Sequence, residues 1–121
     1  MLDQSAILVL CACPNEPGAL DIARILVEEG LAACVNRVGP VTSVYRWEGQ
    51  LCEESEQLLV IKTARACYEA LEMRLKALHP YEIPEIIAIP VVAGSSQYLA
   101  WLAAATDAIT ADSTPLSVHR T

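Results

Sequence analysis

Eight consecutive apolar residues, Ala6 to Cys13 (AILVLCAC), run without a charged or polar break and end at Pro14. A run this short cannot cross a bilayer, and one this uniform has no face to show to water, so it reads as a β-strand covered on both sides. That strand constrains everything else a chain of 121 residues can do. A layer must pack against each of its faces, and a chain of this length makes one domain, spanning 1–121, rather than two. Hydrophobic residues supply 54% of the sequence and charged residues 19%, which is too apolar for a disordered chain and slightly apolar for a monomer.

Beyond Pro14 the periodicity changes. Leu20, Ala23, Ile25, Leu26 and Val27 recur at helical intervals, and Gly30 is placed to stop them, which predicts a helix over 17–29. Ala32 to Val38 is apolar again. After Gly39-Pro40, an extended chain puts Val41, Ser43, Tyr45 and Trp47 on one face and Thr42, Val44 and Arg46 on the other, so 32–47 reads as one long strand bent at the Gly-Pro pair. Glu48-Gly49 suits a tight reversal, and Leu58 to Lys62 resumes a strand, giving a long antiparallel hairpin whose Glu53, Glu54 and Glu56 read as a solvated arm. Tyr68, Leu71, Leu75 and Leu78 predict a second helix over 65–78, ended by His79-Pro80. Ile83 to Val92 reads as a fourth strand, at a sheet edge because of Pro84 and Pro90, and Tyr98 to Ala105 as a third helix. The polar tail, 110–121 above all, is expected to be loose.

The order β-α-β-β-α-β-α, without repeats or linkers, predicts an α+β fold of the ferredoxin-like, split β-α-β type, with two helices on one face of a four-stranded antiparallel sheet. The other face and the long hairpin need cover, and a second copy of the chain is the expected source, so a closed homo-oligomer is predicted. A net charge of -7 argues against nucleic acid as a partner. No positively charged leader precedes the first apolar run, and no apolar stretch is long enough to span a membrane. Five cysteines without a paired C-x-x-C framework fit reduced thiols in a cytoplasm.

Three stretches, Leu31-Ala-Ala-Cys-Val-Asn36, Ser43-Val-Tyr-Arg-Trp-Glu-Gly49 and His79-Pro-Tyr-Glu-Ile-Pro-Glu-Ile-Ile-Ala88, together resemble the CutA divalent-cation tolerance family. The resemblance extends from about Ile7 to Leu102, taking in Cys13-Pro14, Leu59 to Thr63 and Tyr98 to Leu102. It implies a ferredoxin-like fold, a tight trimer similar in architecture to the P-II-type signal proteins, and a cytoplasmic protein that binds copper or another divalent metal ion. It implies no enzyme activity and no organic cofactor. The metal residues proposed in the bacterial family fall on Cys11 and His79, and where some relatives carry two histidines before the Pro-Tyr this chain has Leu78-His79.

The residues themselves offer related chemistry. Cys11 and Cys13 are two apart on a strand, so both thiols can face one way as soft donors of the kind Cu(I) prefers; the competing reading is two small core residues. Cys34 reads as core, and Cys52, among acidic neighbours, as a passive surface thiol. His79 either caps its helix or joins Tyr81, Glu82 and Glu85 in a proline-stiffened loop able to ligate a metal or a small polar molecule. Tyr45, Trp47, Lys62, Tyr81 and Glu85 occupy motif positions that the fold could bring to a cleft between subunits, where simple interface packing is the competing role. No glycine-rich phosphate loop, nucleophile elbow or Ser/His/Asp arrangement is present, so catalysis is not expected. The alternative to a metal-binding protein is a trimeric small-molecule sensor or interaction scaffold with its ligand in that cleft.

Overall fold

The structure, a computed structural model, describes residues 3–106; the C-terminal tail expected to be loose lies outside them. Strand β1 (Ala6–Cys13) leads to helix α1 (Glu16–Glu28), then to the hairpin of β2 (Cys34–Trp47) and β3 (Gln50–Ala64). A short turn of tighter helix precedes α2 (Tyr68–Leu78), which is followed by β4 (Ile87–Pro90) and α3 (Ser96–Ala105). The sheet order is β2-β3-β1-β4 and every neighbouring pair is antiparallel, the arrangement expected of a split β-α-β unit. Among the described residues no helix is long and apolar enough to cross a membrane.

Local chemistry accounts for the ends of these elements. Asn15 caps α1 by accepting the Gly18 N–H on its side-chain oxygen at 2.9 Å, so the helix starts one residue before the expected Pro17. Gly30, with φ of 72°, terminates it. Glu48 and Gly49 both have positive φ, 49° and 79°, the conformation a two-residue hairpin turn requires, and Trp47 pairs with Gln50 across it.

Period-2 alternation sorts the sheet into two faces. Ile7, Val9, Cys11 and Cys13 of β1 and Leu59 and Ile61 of β3 turn toward Ala19, Ile22 and Leu26 of α1 and Leu71 and Leu75 of α2. These form the core, each large aliphatic side chain contributing about 1.5–3 kcal/mol by its removal from water. Buried Thr63 beside them satisfies its hydroxyl by donating to the Leu31 carbonyl at 2.7 Å. On the opposite face Leu8, Leu10, Leu58 and Val60 stay half-buried, while Ile87 and Ile89 of β4 are 53% and 43% exposed.

The hairpin carries a feature that period alone does not reveal. Val38 pairs with Leu58 but Val41 pairs with Glu56, so β2 contains one extra residue at the Gly39-Pro40 bulge. One extra residue inverts the alternation, and Val41, Ser43, Tyr45 and Trp47 therefore continue the face begun by Cys34, Asn36 and Val38. Their partners on that face are Glu56, Glu54, Cys52 and Gln50.

Three expectations need correction. The fourth strand is only Ile87–Pro90, not 83–92, because Pro84 has no N–H for a ladder and residues 83–86 form a loop instead. Cys34 is half-buried opposite Lys62, not part of the core. Glu56 is not on a solvated arm: it is 7% exposed.

Candidate metal centre and adjoining cleft

β1 and the residue that ends α2 bring three donor side chains together. Cys11 and Cys13 face the helices as same-side neighbours on the strand, and His79 follows Leu78 where α2 stops, its backbone N–H still bonded to the Leu75 carbonyl. All three are buried, and their ligand atoms lie within 4.8 Å of one another. The Cys11 thiol donates to the Cys13 sulfur, and this bond, then burial, then the nearby charges push the Cys11 thiol upward. The same bond lowers Cys13. The pair therefore releases its first proton more readily than its second, since two thiolates side by side in a buried site repel each other.

His79 is held at both ring nitrogens. The Tyr81 N–H donates to Nδ1 at 3.1 Å, which leaves Nε2 to carry the proton and donate it to the Ala12 carbonyl at 2.7 Å. An imidazole in this state ligates a metal only by giving up one of those bonds, whereas the thiols need only lose a proton. Two thiolates and an imidazole nonetheless form a soft, borderline donor set that fits Cu(I) or Zn(II). A small cavity of about 200 Å³ adjoins Cys13, bounded by Asn15, Asp21, Leu78 and Pro80.

Behind this centre, on the other face of the sheet, lies a larger cleft of about 680 Å³. Ala12 and Pro80 contribute to its wall, so the cleft and the thiol cluster are separated by little more than β1. One side is the hairpin face with Tyr45, Trp47 and Glu56; the other is the loop after α2 with Tyr81, Glu82 and Glu85. Two phenol–carboxylate bonds stitch it: Tyr81 donates to Glu56 Oε2 at 2.9 Å and Tyr45 to Glu54 Oε1 at 2.7 Å. The hydrogen bond to Glu54 pushes the Tyr45 phenol up to about 12, and burial followed by the bond to Glu56 raises Tyr81 as well.

Of the residues singled out in the sequence, Cys11, Cys13 and His79 meet, and Tyr45, Trp47, Tyr81 and Glu85 meet. Glu85, expected among the metal donors, is outside the thiol cluster and faces the cleft. Within the single chain, Lys62 does not line this cleft. It shares a sheet face with Glu56 but sits six residues further along β3, about 20 Å at roughly 3.3 Å per residue. Glu56 and Ser43 were missed, although counting back in twos from Val60 and Leu58 puts Glu56 on their face.

Comparison with known proteins agrees with this architecture. A model of the CutA1 divalent ion tolerance protein family matches residues 7–105. The chain is 50% identical over 95 residues to the divalent-cation tolerance protein CutA of Thermus thermophilus, covering 78% of this chain and 92% of that protein. It is 44% identical over 104 residues to protein CutA of Mus musculus, covering 86% of this chain but only 59% of the longer mouse protein. The crystal structure of CutA from Xylella fastidiosa superposes with a TM-score of 0.83 at 42% identity, covering 85% of this chain and 99% of that one. Relatives are called chloroplastic in Arabidopsis thaliana and periplasmic in Archaeoglobus fulgidus. A family-model match across nearly all the described residues, half-identical sequence over almost the whole of a relative, and a superposable fold place this chain in the CutA1 divalent ion tolerance protein family.

Proposed function

We propose that this protein is a cytoplasmic homotrimer that binds copper or another divalent metal ion as cargo, with Cys11 and Cys13 as principal donors and His79 as a third. The observation that carries the reading is the convergence of two thiols and an imidazole within 4.8 Å in a buried pocket. When bound, the ion would draw soft thiolate ligation from β1, and His79 would trade a ring hydrogen bond for the metal. Catalysis is not part of the proposal. Nor does the proposal include an organic cofactor, nucleic acid or a membrane. The trimer is supported by the half-exposed apolar face and by β4, an edge strand with exposed Ile87 and Ile89.

The test is a competitive titration of Cu(I), under reducing conditions, into the native protein and the Cys11→Ala, Cys13→Ala and His79→Ala variants. Loss of a thiol donor is expected to weaken binding by at least about tenfold, the lower bound for disturbing even a metal's outer partners. Equal affinity in all four proteins would remove these residues from the role. A second reading, a small molecule held where subunits meet, is supported by the 680 Å³ cleft that gathers Tyr45, Trp47, Tyr81 and Glu85.

A further inference from the structure

The cleft has an unbalanced charge. Glu56 is 93% buried, the complement of its 7% exposure, and its only hydrogen-bond donor is the Tyr81 hydroxyl on Oε2. Oε1 accepts no hydrogen bond and the carboxylate makes no ion pair among the described residues. Glu56 lines the cleft and its Oε1 is not sealed off from it, so a carboxylate oxygen stands open there as an acceptor for a positive partner. The rest of the lining points the same way: Glu82 and Glu85 add negative charge, and no lysine, arginine or histidine among the described residues lines the cleft.

The walls decide what kind of cation fits. A hard divalent ion holds its water and wants several oxygens at once, whereas the lining here includes the aromatic residues Tyr45, Trp47 and Tyr81 together with Ile83. Aromatic faces attract an organic cation, and an apolar body on that cation would remove the rings from water. The free lone pairs of Glu56 Oε1 call for an N–H donor. A volume of about 680 Å³ suits a small organic molecule.

We infer that this cleft binds an organic ammonium ion, its N–H group on the Glu56 carboxylate and its apolar body against Trp47, Tyr45 and Tyr81. The inference rests on the cleft reading and is independent of metal binding at the thiols.

The experiment follows the indole N–H resonance of Trp47 in the full chain, assigned with a Trp101→Phe variant, during titration with butylammonium, 1-butanol, butyrate and Mg²⁺. Butylammonium is expected to saturate the shift, with the other three at least tenfold weaker. Glu56→Gln keeps an acceptor for Tyr81 and removes the charge, so it should weaken butylammonium at least tenfold. Glu85→Gln, at an exposed position, should weaken it severalfold. Saturation by butanol or butyrate as strong as by butylammonium would overturn the ammonium assignment and leave a cleft for another ligand. Equal saturation by Mg²⁺ would make it an inorganic cation site and overturn it too. No saturation by any probe, as when a side chain of another copy already fills the space, would overturn both the ammonium assignment and the cleft reading.

Discussion

His79 joins three parts of the molecule through one ring: Nε2 ties it to β1 at Ala12, Nδ1 to the loop at Tyr81, and its backbone to α2 at Leu75. Its removal should therefore cost stability whether or not a metal is present. His79→Ala is expected to lose about 1–3 kcal/mol, from hydrogen bonds whose partners stay buried. Urea unfolding of metal-free protein checks this, and an unchanged midpoint would show the ring to be idle in the fold. The cleft phenols give a second expectation. Tyr45 is pushed up to about 12 by its bond to Glu54, Tyr81 is raised by burial and Glu56, and Tyr68 by burial and Glu72. Each binds its proton more tightly folded than unfolded, where tyrosine ionises near about 10. Their stabilisation is thus complete below about pH 10 and is lost as the pH climbs toward 12. The urea midpoint should fall between pH 9 and pH 11.5, and fall less in a Tyr45→Phe, Tyr81→Phe double variant; an equal fall in both proteins would contradict the assignment.

Among the elements, the β2–β3 hairpin does most to position the cleft, and its bulge depends on a close approach. A Cβ at Gly39 would sit inside contact distance of Gln57 Oε1, and that oxygen is not free to move, because it accepts from Arg37 Nη1 at 2.7 Å. Gly39→Ala should cost about 1–2 kcal/mol, through strain or the loss of that hydrogen bond, read as a lower melting temperature. An unchanged melting temperature would mean that the bulge relaxes freely. The elements themselves were legible in the sequence because their signals are local: an apolar run closed by Pro14, helical spacing closed by Gly30, a reversal at Glu48-Gly49. What was not legible depends on register. Gly39-Pro40 announced a bend, but not that it adds one residue and so reverses the faces of β2. Pro84 shortened β4 by removing a donor, where the segment from Ile83 to Val92 read as continuous strand. Lys62 was grouped with the cleft because it occupies a motif position; within one chain it shares a sheet face with Glu56 but lies six residues away along β3. The thiol pair was legible because two residues apart on a strand means one side, while the bonds that engage both nitrogens of His79 required the loop's path.

For the whole molecule, the thiol centre and the cleft lie back to back across β1, and the cleft opens on the face that the helices of the core do not cover. Leu8, Leu10, Leu58 and Val60 on that face, with Ile87 and Ile89 on the edge strand, form an apolar surface that a single chain in water rarely leaves uncovered. Other copies of the chain are the proposed cover, with the cleft completed where they meet. Ile89→Glu separates this from a self-sufficient monomer: on a free chain the side chain is 43% exposed and the change should be nearly neutral, whereas in the trimer it places a charge in an apolar contact. Sedimentation equilibrium of the native protein at micromolar concentration is the most direct measurement. A mass three times the 13.1 kDa chain, falling toward one chain with Ile89→Glu, is the expected result. A single-chain mass for the native protein would contradict it.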